Sequence, residues 1–164
     1  MDTLHRSETC SKTPQVLREG FGWTLARLSQ SLVSALNVAL ADLDLTMRSF
    51  AVLATAADRA ARTQLEIAQV VGLDKSTLVA TIDDLERRGL VERRTDPADR
   101  RARVVESTAE GRTLATRAAQ IVADTETAIL REFGIDEAAR LKSSLVALLL
   151  SALHKDPAQP GSCI

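Results

Sequence analysis

Hydrophobic residues recur along most of this chain at the three- and four-residue spacing of an amphipathic helix. The first such stretch follows Thr13-Pro14, a pair typical of a helix start, and predicts one helix over residues 14–41. Thr46 is placed to cap a second helix. Residues 1–12 are polar and unpatterned, and we expect them to be disordered.

Two further long helices are predicted towards the C-terminus. One begins at Thr108 and ends at Gly134, and the other follows Asp136 as its N-cap and carries a wide leucine face. Residues 155–164 contain two prolines and a glycine and are expected to be loose. The apolar stripes of the first and the last two helices lack partners within the chain, which predicts a homodimer that buries them.

Two short helices joined by a tight turn are predicted between Thr63 and Gly89. Thr63 and Glu66 have the spacing of a capping box, and Gly72 supplies the positive φ that ends the first helix. Asp74 can cap the second helix, whose outer face carries small and polar residues. This arrangement is typical of a helix-turn-helix motif, although helical hairpins that do not bind DNA share much of the pattern.

After Gly89 the pattern changes from helical to alternating. Residues 90–94 and 102–107 predict two short strands, joined by a turn at Asp96-Pro97-Ala98-Asp99. The charged tip of an isolated hairpin is often only solvated. A hairpin directly after a helix-turn-helix instead indicates a DNA-binding wing, because an arginine at its tip can enter the narrow, negative minor groove.

Composition and charge narrow the fold class and the kind of partner. Hydrophobic residues make up 45% of the 164 residues but aromatic residues only 2%, which favours a mostly α fold with a small β-hairpin wing. Residues 87–103 contain seven arginines and three carboxylates, a local net charge of +4 in a chain whose total is −1. A basic segment on an acidic body fits a directed contact with a polyanion.

Several function classes are disfavoured by what the sequence lacks. No positively charged segment precedes an apolar run, and no apolar stretch is long enough for a bilayer, so we expect a cytoplasmic protein without a membrane contact. Cys10 and Cys163 have neither metal-ligand nor C-x-x-C spacing. Without a nucleophile–base pair or a phosphate-binding glycine loop, we expect no enzyme activity, no catalytic residue, no metal and no cofactor.

Three motifs in the central region carry a family resemblance. They are Leu73-Asp74-Lys75-Ser76-Thr77-Leu78, Leu85-Glu86-Arg87-Arg88-Gly89-Leu90-Val91 and the wing motif Asp99-Arg100-Arg101. With them the chain resembles the MarR (multiple antibiotic resistance regulator) family of bacterial transcription factors over residues 17–131. The resemblance implies a winged helix-turn-helix homodimer that binds a pseudo-palindromic DNA operator, usually as a repressor, and that a small ligand or an oxidant commonly releases.

The resemblance also implies a division of the chain into functional regions. Residues 13–44 and 108–154 would supply dimerisation helices, and residues 45–107 would form the DNA-binding lobe between them. Within that lobe the recognition helix is expected at about 74–88 and the wing at about 90–107.

The residues implied in DNA contact lie in two groups. Those of the recognition helix are Lys75, near the DNA backbone, and Ser76, Thr77 and Ala80, at base edges. Those of the wing are Asp99, which pairs with a neighbouring arginine, and Arg100, Arg101 and Arg103, at or near the tip. Many members have a basic residue where this chain has Ala80, so we expect affinity to depend strongly on the wing and on phosphate contacts.

The signal that this regulator would sense is open. A small aromatic or amphipathic ligand is one hypothesis, and its candidate residues are Trp23, Arg27, Arg48 and Asp58, which offer stacking and charge. Trp23 can equally be a packing residue or a subunit contact. Thiol oxidation at Cys10 is an alternative signal.

A different class of function also fits part of the sequence. Asp83, Asp84 and Glu86 place acidic side chains on the second helix of the helix-turn-helix. They favour the alternative of a winged-helix module that binds a protein and not DNA.

Overall fold

The computed structural model describes residues 13–58, 62–95, 103–131 and 134–155. The two tails for which disorder is predicted lie mostly outside these ranges, as does the turn at the tip of the wing. Residues up to Ala35 belong to one compact unit and residues from Leu36 to another. The described chain is mostly helical and includes a small antiparallel sheet, so the expected fold class is confirmed.

The N-terminal unit departs from the prediction of one continuous helix over residues 14–41. A short helix, α1 (Gln15–Arg18), ends at Glu19, and a second helix, α2 (Phe21–Leu40), follows it. The Gly20 N–H donates to the Leu17 carbonyl, three residues back, at 3.1 Å, and the Gly20 carbonyl begins the next helix by accepting from Thr24 N. The prediction was wrong here because hydrophobic spacing continues across a glycine, whose helix propensity is low.

The second unit contains the central helices and strands in the order expected of a winged helix-turn-helix. After α2 the chain forms a 3-10 turn (Ala41–Leu43), followed by α3 (Met47–Ala57), β1 (Arg62–Thr63), α4 (Gln64–Val71), α5 (Lys75–Arg87), β2 (Val91–Thr95) and β3 (Arg103–Ser107). Thr63 forms a capping box, and Thr46 and Asp74 cap α3 and α5, as predicted. Thr46 also forms a capping box with Ser49, which was not predicted. Gly72 and Gly89 have the positive φ expected of helix ends.

The sheet contains one strand that the sequence pattern did not predict. Its order is β1-β3-β2 with antiparallel pairing, and Arg62 of β1 lies opposite Val105 of β3. β1 has only two residues, too few to produce an alternating pattern. The predicted hairpin strands are confirmed, with Val91 opposite Ser107 and Thr95 opposite Arg103.

The core of this unit lies between α3, α4, α5 and the sheet. Aliphatic side chains that are almost inaccessible to solvent fill most of it: Leu53, Ile67, Leu78, Ile82, Leu85 and Val105. Since Leu78, Ile82 and Leu85 share one face of α5, the opposite face of that helix is directed outward. This packing leaves the outer face of α5 available to a partner.

Two long helices complete the described chain, α6 (Ala109–Arg131) and α7 (Ile135–Lys155). The prediction that Asp136 caps α7 was wrong. The helix has already begun at Ile135, because the Gly134 carbonyl accepts the first helical hydrogen bond from Ala138 N at 3.0 Å. The helix also reaches Lys155, one residue into the segment predicted to be loose.

Many large apolar side chains of the terminal helices remain exposed in the single chain. In α2 they include Phe21, Leu28 and Val38, and in α7 Val146, Leu148, Leu149 and Leu150. Exposed apolar side chains that cluster on a helix are candidates for an interaction site in a folded protein. None of the helices in the described ranges is long and apolar enough to cross a membrane.

Candidate nucleic-acid interface

The N-terminus of α5 is fixed by the carboxylate of Asp74. Its Oδ1 atom accepts hydrogen bonds from the Ser76 hydroxyl at 2.5 Å and from Thr77 N at 2.9 Å. These bonds, first that from Ser76 and then those from Thr77, hold the pKa of Asp74 well below its usual range. The Asp74 carboxylate is therefore ionised at neutral pH, and the Ser76 hydroxyl donates its proton to the bond with Asp74.

Along the outer face of α5 lies an open pocket of about 670 Å³, and we call its lining the recognition surface. The pocket is lined by Asp74, Lys75, Ser76, Val79, Ala80 and Asp83. Three of the four residues predicted to contact DNA from this helix are therefore part of it. The fourth, Thr77, is half-buried, and its backbone is engaged with Asp74 and with the Thr81 hydroxyl.

Besides the N-cap Asp74, two residues of the recognition surface were not among the predicted DNA contacts, Val79 and Asp83. A signal was available in the sequence, because both lie three residues after a predicted contact, Ser76 or Ala80, and so share its helical face. The family resemblance directed attention to other positions. Val79 adds an apolar group beside Ala80, and Asp83 adds a carboxylate.

The acidic residues of α5 are all engaged by arginines. Arg93 of β2 forms ion pairs with both Asp83 and Glu86, and its backbone N–H donates to Glu86 Oε1 at 3.0 Å. Burial alone would lower the pKa of Arg93, but its hydrogen bonds to Asp83 and Glu86 more than offset this and raise the pKa. Asp84 pairs with Arg87 and Arg88.

The C-terminal end of α5 is tied to the turn that precedes α3. The Arg88 guanidinium donates to the Asp44 carbonyl at 2.8 Å and to the Leu43 carbonyl at 3.2 Å. Asp44 adopts a left-handed conformation with φ of 51°. Arg88 thus satisfies the carbonyls at the end of the 3-10 turn and holds the helix against it.

The wing is anchored at its base to α6. The Thr108 hydroxyl donates to the Gly89 carbonyl at 2.8 Å and accepts from Gly111 N at 3.0 Å, so one side chain caps α6 and binds the end of the helix-turn-helix. Arg112 Nη1 donates to the Ser107 carbonyl at 2.6 Å. The start of β2 and the end of β3 are therefore fixed relative to α6.

The predicted DNA-contacting residues of the wing are only partly described. Arg103 is exposed at the first position of β3, whereas Asp99, Arg100 and Arg101 lie outside the described residues. On β2, Arg94 pairs with Glu92 and, at 3.4 Å, with Glu106 of β3. Arg94 therefore lies on the opposite face of the sheet from Arg93, as the alternation of a strand requires.

The four residues proposed for a ligand site lie in separate units of the chain. Trp23 and Arg27 belong to the N-terminal unit, where Arg27 donates to Gln30 at 3.0 Å; Arg48 and Asp58 belong to the second. Arg48 is exposed on α3. The joint site therefore remains a prediction.

Asp58 lines an open pocket of about 580 Å³ in the second unit, between α3, β1, α4 and α6. It pairs there with Arg62 at 2.7 Å, and Arg112 and several alanines line the same pocket. Arg62 Nε is buried and makes no hydrogen bond to any described residue. Nowhere in the described ranges do three or more potential metal ligands come together.

Comparisons with known proteins match this architecture. A family model described as "MarR family" matches residues 45–102. The structure of a transcriptional repressor, CouR, bound to a 23-mer DNA duplex is 32% identical with a TM-score of 0.76, and the match covers 82% of this chain and 96% of that one. Wild-type MarR from E. coli, in its apo form, is 29% identical with a TM-score of 0.71, over 79% of this chain and 97% of that one.

A third structure carries a small molecule. CouR from Rhodococcus jostii RHA1 bound to p-coumaroyl-CoA is 29% identical with a TM-score of 0.71, and the match covers 82% of this chain and 95% of that one. The similarity to all three structures extends well beyond the segment matched by the family model.

Proposed function

This chain belongs to the MarR family of transcriptional regulators, and we propose that it binds a pseudo-palindromic DNA operator as a homodimer and represses transcription. The observation that carries this proposal is the recognition surface of α5, which faces outward beside an antiparallel wing. A helix exposed in this way fits the major groove. The DNA-bound state of CouR, which this chain resembles along most of its length, supports the same reading.

The charge distribution supports DNA binding by this lobe. The carboxylates of Asp83, Asp84 and Glu86 are each paired with an arginine, so they do not present an unopposed negative surface. This pairing removes the main argument for a module that binds only proteins. On this proposal the protein acts in the cytoplasm, on chromosomal DNA, without enzymatic activity or a cofactor.

The proposed dimer rests on the exposed apolar residues of α2 and α7. Burying them between two copies would remove this surface from water, the usual driving force for association. A two-fold dimer would place its two recognition helices about 34 Å apart, which matches successive major grooves on one side of a duplex. Residues 13–44 and 108–154 are the proposed dimerisation regions, and residues 45–107 the proposed DNA-binding lobe.

A binding experiment tests the central claim. Fluorescence anisotropy with the DNA that flanks the protein's own gene should give tight binding, whereas a scrambled duplex of equal length should bind weakly. Arg101→Ala should weaken binding to both duplexes and reduce the magnitude of the salt slope by about 0.9, the value for one lost phosphate contact. Arg140→Ala, which removes an exposed arginine of α7, serves as the control and should leave the slope unchanged. Equal affinity for both duplexes at low salt would exclude operator recognition.

We also propose that a small aromatic or amphipathic ligand releases the regulator from DNA. The pocket beside Asp58 supports this, because it combines alanine and valine side chains with the guanidinium groups of Arg62 and Arg112. An aromatic carboxylic acid that occupies it should raise the melting temperature, and Arg112→Ala should reduce that increase relative to its own ligand-free value. Release of DNA by such an acid without any dependence on Arg112 would place the effector site elsewhere.

A further inference from the structure

The recognition surface contains a carboxylate where a DNA-binding helix usually avoids one. Asp83 lines this surface together with Lys75 and Ala80, and its side chain is 59% exposed. Glu86 follows on the next turn of α5 and is also partly exposed. Two carboxylates near a bound duplex would repel its phosphates, by an amount that grows as water is excluded from the interface.

Arg93, which lies on strand β2 of the wing, forms ion pairs with both carboxylates and so compensates their charges. Its side chain is only 20% exposed, and its two terminal nitrogens bind different carboxylates, Nη2 to Asp83 and Nη1 to Glu86. A planar guanidinium can bridge two carboxylates in this way, whereas a lysine ammonium cannot impose the same geometry. The backbone N–H of Arg93 adds a third bond, to Glu86 Oε1.

We propose that Arg93 is a positioning residue for operator binding: it holds Asp83 and Glu86 against β2, so that the recognition helix and the wing approach DNA as one body. This inference rests on the proposed function. It assigns a role to Arg93, which is not among the residues predicted to contact DNA. Arg93 acts through the two carboxylates and not on DNA, since its terminal nitrogens are already engaged and its side chain is largely covered.

The strand itself provides a matched control. Arg94, the next residue of β2, pairs with Glu92 and Glu106 on the other face of the sheet. The Arg93 cluster (Arg93 with Asp83 and Glu86) and the Arg94 cluster (Arg94 with Glu92 and Glu106) each contain one guanidinium and two carboxylates. Equivalent substitutions in the two clusters therefore change the net charge equally, but only the Arg93 cluster connects to α5, and Arg94 is the more exposed of the two, at 59%.

The experiment compares operator affinity across both clusters in the full-length chain. Arg93→Gln should weaken operator binding about tenfold, and Arg94→Gln by no more than about threefold, because only the first leaves Asp83 unopposed on the recognition surface and Glu86 unopposed on the next turn of α5. Adding Asp83→Asn and Glu86→Gln to Arg93→Gln should restore most of the lost affinity. Adding Glu92→Gln and Glu106→Gln to Arg94→Gln should change little.

A different set of results would overturn the inference. If Arg93 contacted a phosphate directly, Arg93→Gln would reduce the magnitude of the salt slope by about 0.9 and the carboxylate substitutions would not restore affinity. Equal losses of operator affinity in the two clusters would mean that Arg93 contributes only its positive charge. Should Arg93→Gln fail to fold, Arg93→Lys keeps the charge without the two-pronged geometry; wild-type affinity in Arg93→Lys would also contradict the proposal.

A measurement without DNA separates this inference from the proposed function. Amide hydrogen exchange in β2 and in the second half of α5 should be faster in Arg93→Gln than in the unmodified chain, but unchanged in α5 of Arg94→Gln. Unchanged exchange in Arg93→Gln would refute the connection between wing and helix. If instead the unmodified chain bound no operator while the exchange result held, the proposed function would fail and the connection would stand.

Discussion

At the scale of single residues, the approach of α6 to the wing depends on a missing side chain. A Cβ atom on Gly111 would lie 1.9 Å from the Leu90 carbonyl oxygen and 2.5 Å from Ser107 Oγ. Ser107 is itself buried, and its hydroxyl donates to the same Leu90 carbonyl at 3.3 Å. No rotation of a side chain relieves a contact with a backbone oxygen, so any residue other than glycine must displace the helix or the strand.

Gly111→Ala should therefore destabilise the fold by about 2–3 kcal/mol, the usual cost of overpacking a closely packed site. Urea denaturation followed by circular dichroism measures the loss. Gly22→Ala is the control, because Gly22 lies in a helix with no neighbouring atom within 4 Å of the added Cβ. Alanine should be neutral or stabilising there. Equal stability of Gly111→Ala and the unmodified chain would contradict the close approach.

Local residue chemistry made several of these features predictable. The caps at Thr46, Thr63 and Asp74 join residues two or three positions apart, so the sequence alone specifies them. The prediction of Asp136 as the N-cap of α7 was wrong because more than one helix start fitted the same segment. Gly134 provides the carbonyl that accepts the first helical hydrogen bond of α7. The outward direction of Ser76 and Ala80 was predictable from helical periodicity, given the buried face of α5.

At the scale of the elements, the recognition helix is held at its end by contacts far apart in sequence. Arg88 reaches the carbonyls of Leu43 and Asp44, more than forty positions away, and its side chain is 22% exposed. Arg87, its neighbour, is 73% exposed and pairs only with Asp84 of its own helix among the described residues. Two adjacent arginines thus have different structural roles.

Arg88→Gln should lower the free energy of unfolding by about 1–2 kcal/mol, because two hydrogen bonds from a charged, mostly covered group are lost. Arg87→Gln should change it by less than about 0.5 kcal/mol, as expected for an exposed ion pair. Chemical denaturation of both variants under identical conditions gives the comparison. A larger loss of stability in Arg87→Gln than in Arg88→Gln would mean that the hydrogen bonds from Arg88 to the 3-10 turn do not stabilise the fold.

The elements themselves were predictable where their pattern was long, and not where it depended on distant partners. The helices and the two wing strands follow from hydrophobic spacing. β1 exists because Arg62 and Thr63 pair with β3, which the two residues do not signal by themselves. The ion pairs of Arg93 with α5 could not be predicted either, since the sequence shows charges of both signs without showing which of them pair.

At the scale of the whole molecule, the single chain leaves several large apolar side chains of its terminal helices exposed. The hydrophobic spacing of those helices predicted stripes without a partner in the chain, and this was right only in part: Leu148 and Leu149 of α7 are exposed, whereas Leu36 of α2 and Ala118 of α6 are buried. The partner that covers the exposed side chains is not specified by the spacing, and the homodimer is the proposal that fits the family.

Leu149→Glu should therefore convert the proposed dimer to monomers at a protein concentration at which the unmodified chain is dimeric, because burying the carboxylate is costly. Leu149 is 59% exposed in the single chain, and Leu65 of α4, outside the proposed interface, is 67% exposed. Leu65→Glu thus serves as the control and should remain dimeric. Sedimentation velocity measures both. A dimeric Leu149→Glu would move the interface away from this part of α7.

The bond between Ser76 and Asp74 has a consequence for the bases that the helix can distinguish. In the proposed complex, the Ser76 hydroxyl would present only lone pairs to the major groove, since its proton points to Asp74. Adenine and cytosine carry amino groups there that can donate to such an oxygen, whereas the major-groove edge of guanine offers only acceptors. A cap that stabilises a helix therefore also fixes the hydrogen-bonding polarity of the residue beside it, and a guanine at that point of the operator would meet an acceptor with no proton to share.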